Sequence, residues 1–249
     1  MRKRAAVPSG LTVGNLLCGF LAIYYVVEGR LVAAGWLIVV AAFLDAMDGK
    51  VARAIRAPSR FGVEFDSLAD VCSFGLAPAL LIFYYHCRVC NLDDMWGIGL
   101  SFLFLLCGAL RLARFNAQQK GFEKNNYTGF PIPAASATLI SYVIFSEKVW
   151  SWSRSLEISI SLTILLSLLM VSTLEYDTFP RFAPGSTRNR LKLLYVLGGV
   201  VLMALYTEEA FFPLAGIYAL SGIVRWASQT LRSRQVAEVQ SLDDMESSV

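Results

Sequence analysis

Eight stretches of this 249-residue chain contain no Asp, Glu, Lys, Arg or His: 11–27, 31–44, 71–85, 95–110, 129–146, 158–174, 193–207 and 210–224. A helix that crosses a bilayer needs about 20 mostly apolar residues. Several runs reach that length only when their polar ends are counted. The pattern predicts an all-α, polytopic membrane bundle of about eight transmembrane helices. Six is the alternative, because the last two runs are short and contain Gly198, Gly199 and Pro213. Charged residues make up 16% of the chain, against about 25% in ordinary soluble domains, which excludes that class. A hydrophobic content of 56% excludes a disordered chain.

The position of the charges predicts the orientation. With the N-terminus in the cytoplasm and the spans alternating, eighteen of the twenty-two Lys and Arg fall inside. Only Arg30, Arg88, Lys148 and Arg154 fall outside, together with the acidic Glu28, Asp93, Asp94, Glu147, Glu208 and Glu209. That asymmetry follows the positive-inside rule and places both termini in the cytoplasm. The basic Arg2, Lys3 and Arg4 precede a run too long for a signal core, so the first run reads as a retained helix. Residues 1–235 form one transmembrane domain on this reading, and 236–249 a disordered acidic tail. The net charge of +3 gives no argument for a nucleic-acid partner.

The segment from Phe43 to Gly75 departs from the membrane pattern. It carries Asp45 and Asp48 at the inner end of the second run, and Asp66 and Asp70 just before the third. Carboxylates near membrane depth are costly and point to function. Asp45, Asp48, Gly49 and Ala52 follow i, i+3, i+4, i+7 and share one helix face, with Arg53 close to it. Asp66 and Asp70 share a face of the next helix, and Gly62 lies one turn before Asp66. Pro58 and Ser59 suit a turn, so an antiparallel connection brings the two pairs of acids together. The run 31–44 makes roughly 20 Å of helix, which sets Asp45 and Asp48 near the lipid headgroups, where phosphates lie.

Four facing carboxylates repel unless protonated or neutralised. Two divalent cations balance them, and hard oxygen ligands suit Mg2+ or Mn2+, ions that also contact substrate phosphates. Gly49 and Ala52 leave a bare face for a flat ligand, and Arg53 offers phosphate a fixed cation. The chain's one histidine, His86, is expected outside, so a carboxylate must act as base or a metal must activate the nucleophile. Each feature alone has a plain explanation: a solvated Asp cap, an arginine anchor in the inner leaflet, a glycine packing point. Four aligned acids with two glycines and an arginine do not. Cys18, Cys72 and Cys107 fall in spans as buried thiols. His86-Cys87-x-x-Cys90, expected on an outer loop, is at most half a zinc site or a short-loop disulfide.

Asp45-x-x-Asp48-Gly49-x-x-Ala52-Arg53, eight residues, then Gly62-x-x-x-Asp66-x-x-x-Asp70 resembles the complete signature of the CDP-alcohol phosphotransferases. The flanks Asn15-Leu-Leu-Cys-Gly19, Asp66-Ser-Leu-Ala-Asp70-Val-Cys-Ser-Phe-Gly-Leu-Ala-Pro78, Gly108-Ala-Leu-Arg-Leu-Ala-Arg-Phe-Asn116 and Gly129-Phe-Pro-Ile-Pro-Ala-Ala135 resemble its phosphatidylserine synthase branch. These blocks cover about the first 135 residues. The resemblance implies that CDP-diacylglycerol is the donor, that the hydroxyl of L-serine attacks the phosphorus next to diacylglycerol, and that CMP leaves. It implies that Asp45, Asp48 and Asp66 hold the metals, and that Asp70 completes the metal site or takes the hydroxyl proton. Gly49, Ala52 and Arg53 would contact the CDP moiety. A homodimer in the inner, cytoplasmic membrane, with its site on the cytoplasmic side, goes with it.

Arg111 and Arg114, i and i+3 at the inner end of the fourth run, are candidates for the donor phosphates or the serine carboxylate, or are simple membrane anchors. Asn116 is a weaker candidate. Pro131 and Pro133 read as shaping the start of the fifth helix. Residue chemistry alone does not choose the alcohol: glycerol phosphate, inositol phosphate and choline are alternative acceptors. A cation transporter is the rival of a different class, but it explains neither Gly49, Ala52 and Arg53 on the acid face nor acids gathered at one surface.

Overall fold

The computed structural model describes residues 10–55, 60–119, 129–149, 155–174 and 209–220, and every regular element among them is helical. The first apolar run forms α1 (Gly10–Val27) and the second begins α2 (Leu31–Ile55). Only three residues join them. Gly29 takes φ +72°, the left-handed conformation that favours glycine. Its N–H bonds the Val26 carbonyl at 2.9 Å while Arg30 N–H bonds Tyr25 at 2.8 Å. This paired capping ends α1 and turns the chain back at once, so α2 packs along α1.

The third element is longer than its apolar run. α3 (Arg60–Asp70), a π-helical stretch at Val71–Leu76, α4 (Ala77–Tyr84) and a second π-helical stretch at Tyr85–Val89 form one unbroken rod. The run expected over 71–85 is thus the middle of a 29-residue span, Phe61–Val89. The charged segment before it is helical too, although Gly62, Val63 and Ser67 are weak helix formers, so its packing against α1 outweighs local propensity. α5 (Asp94–Gln119), α6 (Ile132–Lys148) and α7 (Leu156–Val171) follow, with a shorter helix, α8, at Glu209–Leu220. Pro131 caps α6 and Pro133 sits in its first turn, where a missing N–H costs nothing. Ser155 caps α7 by accepting from Ile158 N–H.

Among the described residues four helices are long and apolar enough to cross a membrane: Gly10–Val27, Leu31–Val51, Phe61–Val89 and Asp94–Ala117. α6 and α7 are shorter than the runs suggested. The run 193–207, the end of 210–224 and the tail 236–249 lie outside the described residues. The rod 60–89 packs against α1, α2, α5 and α6. Small side chains (Ala22, Ala34, Ala41, Ala77 and Ala135) are buried between helices, which lets backbones approach where lipid removes the hydrophobic drive to associate. Leu17, Phe20, Tyr24, Phe43, Phe102 and Leu168 face outward, as lipid-facing side chains do.

One expectation is corrected at the far end of the rod. His86 and Cys87 are not on a loop, and Cys90 stands at the bend that follows the rod. Tyr85–Val89 continues the helix, and His86 and Cys87 are buried. His86 Nε2 is 2.8 Å from Ser159 Oγ, and Tyr85 Oη is 2.6 Å from Ser146 Oγ. All five cysteines are free thiols, so the disulfide is absent. Polar residues hold this end together from within the core.

Candidate active site

Two helices supply the acids. α2 carries on past its apolar run with no break, which brings Asp45 and Asp48 onto its last turns. α3 presents Asp66 and Asp70 at the start of the rod. Asp45, Asp66 and Asp70 each offer a carboxylate oxygen within 4.8 Å of the other two. Asp48 is nine-tenths buried and lies near enough for its charge to act on Asp45 and Asp66. The four acids expected from spacing therefore meet, with three in a tight triangle and the fourth beside it.

A pair of unit charges 4.8 Å apart repels by about 3.5 kcal/mol at an effective dielectric near 20. Among the described residues no Lys or Arg pairs with these acids; the ion pair present there is Arg88–Asp94, at the far end. Asp66 Oδ1 is buried and accepts no hydrogen bond. An orphaned carboxylate oxygen on one of three clustered acids is what a divalent cation can satisfy. The donor set fits a metal, and the cluster could bind one.

α1 closes the side of the site. Thr12 Oγ1 donates to Asp48 Oδ2, and Asn15 Nδ2 donates to Asp70 Oδ1 at 3.2 Å. Sequence reasoning did not pick out Thr12, and took Asn15 only as part of a flanking block. The available signal was two polar residues three apart in the first half of an apolar run.

Gly49 lies on the acid face of α2 and is exposed, and a Cβ placed there would meet nothing within 4 Å. Ala52 and Arg53 continue α2 in the same register; their side chains are outside the described residues.

The two arginines of α5 part company. Arg111 is half-buried, stacks over the Phe115 ring at 5.4 Å and lies near enough to Asp70 for their charges to interact. Its Nε is buried without a hydrogen-bond partner. Arg114 turns elsewhere: Nη1 donates to the Val171 carbonyl at 3.2 Å and Nη2 to Ser172 at 3.0 Å. A cation on the last carbonyls of α7 is a helix cap, favourable with the helix dipole. Asn116 donates to Ser67 Oγ at 2.8 Å rather than reaching an acid.

Comparison with known proteins identifies a family and its relatives. The model of the family CDP-alcohol phosphatidyltransferase matches residues 5–179. The CDP-diacylglycerol--serine O-phosphatidyltransferase of Helicobacter pylori strain 26695 is 36% identical over 221 residues, 88% of this chain and 90% of the relative. The protein of that name from Methanocaldococcus jannaschii is 33% identical over 228 residues, 91% and 96% of the two chains. The archaetidylserine synthase of Methanothermobacter thermautotrophicus is 36% identical over 176 residues, 69% of each.

Proposed function

The chain belongs to the CDP-alcohol phosphatidyltransferase family, and on that premise we propose that it transfers the phosphatidyl group of CDP-diacylglycerol to L-serine, giving phosphatidylserine and CMP. The convergence of Asp45, Asp66 and Asp70, with Asp48 alongside, carries this reading. The names of the relatives favour serine over glycerol phosphate, inositol phosphate or choline. They give ion carriage no support.

Phosphoryl transfer needs positioning and neutralised charge more than covalent help from the protein. Asp45, Asp48, Asp66 and Asp70 would hold divalent ions, Mg2+ or Mn2+ and two per site. Bound there, they supply the positive charge that the diphosphate requires. Gly49 and Ala52 leave the face of α2 clear for the nucleotide, and Arg53 pairs with its phosphates. Arg111, with a free donor near Asp70, binds a donor phosphate or the serine carboxylate. Arg114 fixes the end of α7 against α5, and so supports Arg111 from one turn away.

In the reaction the serine oxygen forms a new bond to the phosphorus that carries diacylglycerol. The bond from that phosphorus to the bridging oxygen breaks, and its electron pair leaves with CMP. Asp70 takes the hydroxyl proton. We place the site on the cytoplasmic face of the inner membrane, in a homodimer with both termini cytoplasmic and about eight spans. The basic residues clustered at that face support the orientation.

The test is release of CMP by the purified protein in detergent, given CDP-diacylglycerol, Mg2+ or Mn2+, and each alcohol in turn. Release with serine is the expected result. Release with another alcohol and none with serine overturns the acceptor, and no release with any alcohol overturns the enzyme.

A further inference from the structure

Thr12 and Asn15 lie three residues apart and so on one face of α1. They are 3% and 0% exposed. Polar groups so placed are costly unless they have partners. Their partners are two of the four acids, Asp48 on α2 and Asp70 on α3. One helix face thus reaches an acid on each of the other two helices.

Asn15 is itself held in place. Its main-chain carbonyl accepts from Ser73 Oγ at 3.0 Å, just beyond Asp70 on the rod. One turn along α1, Gly19 permits that approach, since a Cβ there would lie 2.8 Å from Ser73 Cα. The amide can face only one way: reversed, it would set its oxygen against the Asp70 carboxylate. In the observed sense its Oδ1 is buried beside the acids with no partner.

We infer that Thr12 and Asn15 are positioning residues of the ion site. They hold Asp70 in the converging triangle and Asp48 beside it, and so set how tightly the site takes a divalent cation before any lipid arrives. This rests on the reading of the acids as a cation site. Groups that orient metal ligands in this way are typically worth about 10- to 100-fold in affinity.

The experiment uses Mn2+ alone, titrated into purified full-length protein in detergent with no CDP-lipid. Binding is read from loss of the free ion's electron paramagnetic resonance signal, per mole of protein that elutes as a single folded species. Thr12→Val, which swaps a hydroxyl for a methyl at nearly constant volume, is expected to weaken binding about 10-fold, and Asn15→Ala by at least as much. Thr12→Ser is expected to restore what Thr12→Val loses. Folded Thr12→Val and Asn15→Ala proteins that bind Mn2+ as the wild type does would overturn the inference and leave the cation site standing. Thr12→Ser as weak as Thr12→Val would also overturn it, since the hydroxyl would then not be the cause. A wild type that takes up no Mn2+ overturns both readings.

Discussion

The two ends of the rod 60–89 both bury polar side chains, but in opposite ways. From Asp66 to His86 is 20 residues, roughly 30 Å of helix. At the far end hydroxyl meets hydroxyl, Tyr85 with Ser146, and imidazole meets hydroxyl, His86 with Ser159. These pairs join the rod to α6 and α7 without gathering like charges. At the acid end three carboxylates crowd within 4.8 Å, and one oxygen of Asp66 has no partner. Both ends hold a buried polar atom without a partner, Asp66 Oδ1 and His86 Nδ1, so the difference lies in the crowded like charges, which repel and which a fold seeking stability alone would not choose. We read the far end as serving the bundle and the acid end as a place that could hold a cation.

Substitutions should separate the two ends. The largest effect is expected from Asp48→Ala or Asp66→Ala, with CMP release lost by more than about a thousandfold while the protein stays helical and membrane-inserted. Circular dichroism beside the CMP assay checks both halves. Near-normal turnover in either variant would erase the contrast. Asp70→Asn comes next: turnover should fall by about a hundredfold or more, with CDP-diacylglycerol affinity changed only a few-fold. Separate kcat and KM measurements decide that.

Smaller effects probe packing. Gly19→Ala forces a methyl group into the Ser73 backbone, and should destabilise by about 1–3 kcal/mol, seen as a lower melting temperature in detergent. At the far end Tyr85→Phe removes one partner of a buried pair, and should cost about 1–2 kcal/mol of stability. Turnover per folded molecule should stay within about twofold. A turnover defect larger than the stability defect in Tyr85→Phe would mean that the far end is not merely structural.

The acids were legible because spacing within one helix decides which side chains share a face, and a short connection then pairs the two faces. The membrane class was legible from uncharged runs. Helix lengths were less so, because a helix does not stop where apolar residues stop: α2 runs on to Ile55 and the rod begins at Arg60. Residues 71–76 and 85–89 wind as π-helix, and the second stretch carries His86 into the core, although its polar neighbours suggested a loop. Thr12 and Asn15 meet acids 36 and 55 positions away, and Arg114 meets carbonyls 57 and 58 positions away. Contacts of that kind depend on how helices are arranged, which periodicity does not encode.

The most direct measurement is anomalous diffraction at the manganese edge from crystals of the protein grown with Mn2+. The account predicts a peak enclosed by the carboxylates of Asp45, Asp66 and Asp70, with Asp48 adjoining. Well-ordered aspartates turned away from one another, with no peak between them, would contradict it.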